Sequence, residues 1–124
     1  MTRLVLKTLA LAMFAGVPLA AHAADPAAGQ AVFKTQCAIC HSVAEGKNMI
    51  GPSLAGIVGR KSGTVDGFRY SAANKGANIV WGAAILDKYL TAPKDVVPGT
   101  TMTFAGLKDG AKRGDLIAYL ESLH

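Results

Sequence analysis

The run Cys37-Ala38-Ile39-Cys40-His41 decides how this chain folds, and it contains the only two cysteines and one of the three histidines. On one helical turn, residues three and four apart point to the same side. Two thiols at this spacing can add to the two vinyl groups of a single porphyrin, and the histidine that follows can reach the iron. Cys-x-x-Cys-His is the attachment signature of c-type haem. The run therefore predicts one covalent haem c, held through two thioether bonds, with His41 as an iron ligand.

Three other uses of the cysteine pair are less favourable. A disulfide between Cys37 and Cys40 would close a very small loop and remove little entropy from the unfolded chain. A zinc site needs four ligands, typically in two spaced pairs, and the only further histidines are His22 and His124. A thioredoxin-like redox pair follows a strand, whereas the residues before Cys37 have a helical pattern. Covalent haem is the interpretation we prefer.

The beginning of the chain has the pattern of a secretory signal peptide. Arg3 and Lys7 are followed by a short apolar stretch, and Ala21-His22-Ala23 is an A-x-A cleavage site. The apolar stretch is short for a membrane span, and an uncleaved anchor is the alternative. We expect residues 1–23 to be removed and residues 24–124 to form one domain in the periplasm. Because the leader has two basic residues and no acidic one, its removal lowers the formal net charge from +5 to +3.

The rest of the chain has the pattern of short helices joined by long loops. Asp25 and Pro26 are typical of a helix start, and apolar spacing predicts two later helices. No segment alternates as a strand should. The sequence therefore predicts a small all-α domain, with short helices and long loops wrapped around one covalent haem. The predicted helices cover residues 27–37, 71–75, 82–90 and 110–123, and the predicted loops cover 41–64 and 94–106.

The second axial ligand of the iron decides between electron transfer and ligand chemistry. The candidates in the domain are Met49, Met102 and His124, and lysines are a further option. Met49 follows His41 by only eight residues and is expected to stay on the same side of the ring. His124 ends the last helix and would be solvated. Met102 follows Pro98 in an extended loop that can bring its sulfur to the iron, and we favour this ligand over a core-filling role.

A haem with both axial positions occupied is suited to electron transfer. Two ligands keep oxygen and peroxide off the iron, and the geometry changes little when one electron arrives. A His41/Met102 site therefore predicts a soluble one-electron carrier rather than an enzyme. One alternative is a haem peroxidase or gas sensor with an open axial site, but no distal His or Arg pair is evident. Another is an electron-entry subunit bound to a second protein.

Further runs of sequence carry a resemblance that covers Gly29 to Leu120. Together with Cys37–His41, they make the chain resemble the class I c-type cytochromes, near the mitochondrial and bacterial cytochrome c2-type members. The resemblance implies a class I cytochrome c fold and electron exchange at an exposed haem edge. It implies a cytochrome bc-type complex as one redox partner and an oxidase, a peroxidase or a photosynthetic reaction centre as the other. We expect a monomer that binds no nucleic acid and contacts membranes at most through its partners. The runs are 51–54, 59–63, 67–71, 73–76, 98–107 and 115–120.

The resemblance also implies roles for individual residues. Pro52 would accept a hydrogen bond from the imidazole of His41 and fix its orientation. Tyr89 would hydrogen-bond near the sulfur of Met102, and Asn74 would hold an internal water beside it. Polar and aromatic residues would surround the haem propionates, because carboxylates beside an apolar core need donors; for the two aromatic residues, ordinary packing is the alternative. This set comprises Arg60, Tyr70, Ser71, Trp81 and Thr100.

The chain departs from the family around the expected haem edge. Mitochondrial members usually carry a ring of lysines there, and several of those positions are occupied by uncharged or acidic residues in this chain. One residue is also missing between His41 and Gly51. We therefore expect a less basic docking face and a shallower salt dependence of partner reactions. The replaced positions are Gln36, Asp95, Thr101 and Asp109, while Lys94 and Lys108 remain.

Overall fold

The computed structural model describes Gly16 and residues 23–124, so the predicted signal peptide lies almost entirely outside the described residues. The described part contains five helices and no strand, apart from an isolated bridge between Lys61 and Val80. This confirms the predicted all-α fold, and the four predicted helices agree with the structure to within two residues at each end. None of the described helices is long and apolar enough to span a membrane. The helices are α1 (Pro26–Gln36), α2 (Ala72–Gly76), α3 (Ala83–Thr91), α4 (Pro93–Val96) and α5 (Gly110–Glu121).

Three helices begin at a side chain that caps them. Asp25, Ser71 and Asp109 precede α1, α2 and α5, and each accepts a hydrogen bond from a backbone N–H two or three residues later, at 2.9–3.1 Å. The first N–H groups of a helix have no partner inside it, so such a cap stabilises the helix by about 1 kcal/mol. In α1, Pro26 occupies the first position, where its missing N–H costs nothing.

Helix α4 lies largely in a segment for which the sequence predicted a loop. Pro93 has no N–H and ends α3 as expected, but proline is also favoured at the first position of a helix. The same residue therefore starts a further turn, in which the N–H of Val97 donates to the carbonyl of Pro93 at 2.9 Å. The predicted loop over 94–106 was thus wrong for its first residues.

The loop between α4 and α5 carries Met102 and is anchored at both ends. At its start, Val97 is almost fully buried. At its end, the N–H of Leu107 donates to the carbonyl of Leu90 in α3 at 2.7 Å. Arg113 in α5 donates to the carbonyl of Leu107 at 2.9 Å and pairs with Asp87 in α3 at 2.6 Å. These contacts place the loop against α3.

Helices α1 and α5 cross with their backbones in contact at Gly29. A Cβ at this position would lie 1.9 Å from the carbonyl oxygen of Asp115 and 2.8 Å from the Cβ of Tyr119. The rings of Phe33 and Tyr119 pack beside it, with their centroids 5.7 Å apart. The carboxylate of Asp115 also accepts a hydrogen bond from the N–H of Asp25 at 2.8 Å. Position 29 therefore requires glycine, because a larger residue would overlap with the backbone of α5.

The Gly29→Ala variant is expected to lower the free energy of unfolding by about 2–3 kcal/mol, because the added methyl group overlaps with backbone atoms of α5. The matched control is Gly114→Ala in α5, where a Cβ would meet nothing within 4 Å. That change should be neutral or stabilise the protein by up to about 1 kcal/mol. Urea unfolding of both variants measures the difference, and equal effects would contradict the close crossing.

Candidate haem-binding site

A cavity of about 370 Å³ lies between α3, α5 and the loops. Its walls are mostly apolar and include Leu86 from α3 and both Leu116 and Leu120 from α5. The structure brings every residue that the sequence predicted as a cofactor or iron contact to the wall of this one cavity. These residues are Cys37, Cys40, His41, Pro52, Arg60, Tyr70, Ser71, Asn74, Trp81, Tyr89, Thr100 and Met102.

The cysteine motif forms a tight turn directly after α1. The N–H groups of Cys40 and His41 both donate to the carbonyl of Cys37, at 3.0 and 2.9 Å. This turn brings both cysteines and the histidine to one cavity, and the cysteines are not joined to each other. Burial, and to a smaller extent the neighbouring Cys40, raises the pKa of Cys37 to about 11. At neutral pH Cys37 is therefore a protonated thiol.

The imidazole of His41 is held in one orientation by two neighbours. Its Nδ1 lies 2.8 Å from the carbonyl oxygen of Pro52. A carbonyl can only accept, so Nδ1 carries the proton and Nε2 keeps a free lone pair. Burial lowers the pKa of His41, although the bond to Pro52 opposes this, so the ring is neutral at pH 7. On its other side, a Cβ on Gly51 would lie 2.3 Å from Cε1 of the ring. The result is a neutral imidazole with one nitrogen available for a metal.

Met102 is held at the same cavity by a residue of α3. The hydroxyl of Tyr89 donates to the sulfur of Met102 at 3.3 Å, and the backbone N–H of Met102 donates to the hydroxyl of Thr100 at 3.2 Å. Burial raises the pKa of Tyr89, with Thr100 opposing in part. The phenol therefore stays protonated at neutral pH and keeps donating. A soft thioether sulfur thus has a fixed position on the cavity wall.

The residues expected near the propionates gather in one region, but some of their polar atoms bond to the protein itself. Arg60 donates two hydrogen bonds to loop carbonyls, at 3.0 and 3.1 Å. The hydroxyl of Tyr70 accepts from a backbone N–H at 3.1 Å, and that of Ser71 caps α2. Both hydroxyl protons and the remaining guanidinium N–H groups are still able to donate. Trp81 packs on Tyr89, with ring centroids 4.7 Å apart.

Several residues that line this cavity were not predicted from the sequence, among them Gly51, Ile39 and Ile50. Gly51 was noted only as part of a sequence run, yet it leaves the space in which the ring of His41 lies. Its φ is not among the positive values in the described residues, so the need for glycine comes from space alone, and no pattern in the sequence signals that. Ile39 and Ile50 also line the cavity although their side chains are exposed.

The site fits a covalent haem in each of its chemical parts. The apolar wall suits a porphyrin, the two thiols suit its vinyl groups, and the donors around Arg60 suit its carboxylates. An imidazole nitrogen and a thioether sulfur are both present for iron. In addition, Oδ1 of Asn74 is buried and has no hydrogen-bond partner among the described residues. A buried acceptor of this kind is costly unless a donor lies beside it.

The family model and three similar relatives agree on one family. The family model described as cytochrome c matches residues 26–124. The chain is 50% identical over 105 residues to cytochrome c2 of Blastochloris viridis, covering 84% of this chain and 82% of the relative. It is 48% identical over 99 residues to cytochrome c2 of Rhodopila globiformis, covering 80% and 93%. It is 53% identical over 103 residues to cytochrome c of Chlamydomonas reinhardtii, covering 82% and 91%.

The Gly51→Ala variant is expected to displace the ring of His41, because the new methyl group would overlap with it. We expect a loss of about 1–3 kcal/mol in unfolding free energy and a lower yield of protein with covalently attached haem. The control is Gly82→Ala, where a Cβ would meet nothing within 4 Å. Urea unfolding and the absorbance of the purified variants measure both effects. A Gly51 variant that matches its control would contradict the role of this glycine.

Proposed function

Because this chain belongs to the cytochrome c family, we propose that it is a periplasmic one-electron carrier whose iron is bound by His41 and Met102. Its cofactor is haem c and its role is electron transfer. The iron of a bound haem supplies a centre that takes up and releases one electron. The observation that carries the proposed ligation is that an imidazole with a free nitrogen and a hydrogen-bonded thioether line the same cavity.

Both proposed ligands are fixed by the protein before any electron arrives. Pro52 and Gly51 restrain the imidazole of His41, and Tyr89 restrains the sulfur of Met102. Restrained ligands move little when the charge of the centre changes, which keeps the barrier to electron transfer low. A neutral thioether that accepts a hydrogen bond also donates little electron density to the iron, and this favours the reduced state of the iron.

The remaining polar residues of the cavity are proposed to hold the carboxylates and an internal water. Arg60 supplies a positive charge, while Tyr70, Ser71, Trp81 and Thr100 supply neutral donors. Asn74 and Tyr89 are proposed to share a water, which would give the buried amide oxygen of Asn74 the partner that it lacks among the described residues. Cys37 and Cys40 are proposed to form the two thioether bonds.

The proposed partners are membrane-bound redox complexes. A cytochrome bc-type complex would deliver the electron, and an oxidase, a peroxidase or a photosynthetic reaction centre would receive it. Relatives named cytochrome c2 at about 50% identity support a bacterial carrier of this kind. The secretory pattern of residues 1–23 supports export to the periplasm and a domain of residues 24–124.

The Met102→Ala variant should lose the weak sulfur-to-iron charge-transfer band of the oxidised protein, since no thioether would remain on the iron. The control is Met49→Ala, whose side chain is partly exposed and does not line the cavity; this variant should keep the band. Reduced wild-type protein should bind carbon monoxide slowly and the Met102 variant rapidly. Rapid binding by the wild type would contradict a closed axial site and favour the peroxidase or sensor alternative.

Expression with the full leader should yield periplasmic protein that begins at Ala24, because Ala21-His22-Ala23 presents small residues at the cleavage positions. Mass spectrometry of the periplasmic fraction measures this. Ala23→Leu should block cleavage, whereas Ala24→Leu, one position beyond the site, should not. Full-length wild-type protein in the membrane fraction would instead indicate a retained anchor.

A further inference from the structure

We propose that this protein docks onto its redox partner through an apolar patch formed by Ile39, Met49 and Ile50. These three residues form what we call the apolar rim. The corresponding surface of the partner is apolar and uncharged around its own cofactor. This inference rests on the proposed function, because it concerns the encounter in which the electron is exchanged.

The apolar rim contains most of the large hydrophobic side chains that are exposed in the described residues. Ile39 is 79% exposed, Ile50 is 77% exposed and Met49 is 41% exposed. Val80, at 63%, is the remaining one. A single exposed hydrophobic residue is ordinary on a protein surface, whereas a cluster marks a site of interaction.

Backbone hydrogen bonds hold the two segments of the rim together. The N–H of Gly51 donates to the carbonyl of Cys40 at 2.8 Å, which brings Ile50 next to the segment that carries Ile39. The N–H of Met49 donates to the carbonyl of Gly51 at 2.9 Å and closes a tight turn. Ile39 and Ile50 therefore lie on adjacent segments, and Met49 directly precedes Ile50.

The rim lies where the haem-binding cavity meets the surface. Ile39 and Ile50 both line the cavity, and each is more than three-quarters exposed. Cys40, whose carbonyl accepts the hydrogen bond that joins the two segments, also lines the cavity. A partner that covers the rim is therefore brought against the mouth of the cavity, where electron exchange requires the shortest distance.

The side chains that line the cavity beside the apolar rim offer few charges with which an acidic partner could pair. Gln36 and Thr101 line the cavity and are uncharged. The cationic residues in the wall are Arg60, whose carbonyl accepts from the N–H of Trp81, and Lys61, whose backbone forms a bridge with Val80. Covering isoleucines with carboxylates would desolvate those carboxylates without pairing them, which is costly. The fitting partner surface is apolar, as in the centre of many interfaces.

The size of the rim argues for a brief encounter and against a permanent dimer of this chain. Three side chains expose at most roughly a few hundred Å², while a stable interface buries about 800 Å² on each partner. A small apolar contact releases its partner quickly. That is what a carrier needs, because it must leave after each electron.

Stopped-flow reduction by a purified cytochrome bc complex, supplied with quinol, tests the inference on the haem-loaded protein. Ile50→Ser and Ile39→Ser should each lower the second-order rate constant by about fivefold. Val80→Ser, a matched change of an exposed hydrophobic outside the rim, should stay within about twofold. Oxidation of every variant by ferricyanide, which needs no protein docking, should also stay within about twofold. Because Ile39 lies between the attachment cysteines, the Ile50 variants decide the outcome if the Ile39 variant takes up no haem.

A charge substitution separates apolar docking from charge steering. Ile50→Lys at low salt should slow the reaction by about fivefold or more, because a lysine at the rim would lose its water against an apolar surface. Faster reduction of Ile50→Lys than of Val80→Lys would overturn the inference and indicate an acidic partner surface. Equal rates for the wild type and the Ile50→Ser variant would also overturn it while leaving the carrier function intact.

Two further outcomes concern the occupant of the rim. A wild type that accepts no electrons from the complex at any ionic strength would overturn the donor assigned under the proposed function, and the docking inference with it. Gel filtration should show a monomer for the wild type. A dimer that Ile50→Lys converts to a monomer would overturn the inference by assigning the rim to a second copy of the chain.

Discussion

The described helices and loops enclose an apolar cavity, and the rest of the structure depends on filling it. Leu86, Leu116 and Leu120 are buried, yet they also form the wall of a cavity. Atoms that line an apolar cavity lose packing contacts, so such a space is costly unless an apolar group occupies it. The haem c of this family is that group, and its covalent attachment makes the cofactor a permanent part of the core. The same packing contacts therefore determine both the fold and the haem-binding site.

The two proposed iron ligands illustrate how distant segments share this arrangement. His41 belongs to the turn after α1 and is restrained by Pro52. Met102 belongs to the loop between α4 and α5 and is restrained by Tyr89, whose ring in turn packs on Trp81. A change at either side of the cavity is transmitted through contacts that also hold the helices in place. Stability and the properties of the site are consequently difficult to alter separately.

The sequence predicted those features whose cause is local. Asp25, Ser71 and Asp109 lie within three residues of the N–H groups that they cap, and the helices they start were predicted correctly. Contacts between distant segments, such as that of Tyr89 with Met102, were expected only from the family resemblance, and other long-range features were missed. A proline can end one helix and begin another, so a loop over 94–106 was predicted where Pro93 in fact begins α4. The sequence also does not distinguish a glycine that needs positive φ from one that leaves space, as Gly51 does for His41.

The crossing of α1 and α5 at Gly29 sets the order in which parts of this protein can fold. The 73 residues 37–109 separate α1 from α5, so α1 is made about 4–15 s before its partner at ordinary rates of synthesis. During that interval Gly29 lacks the backbone of α5 that covers it in the folded protein. A domain whose first and last helices meet can therefore complete its fold only after its last helix has been made.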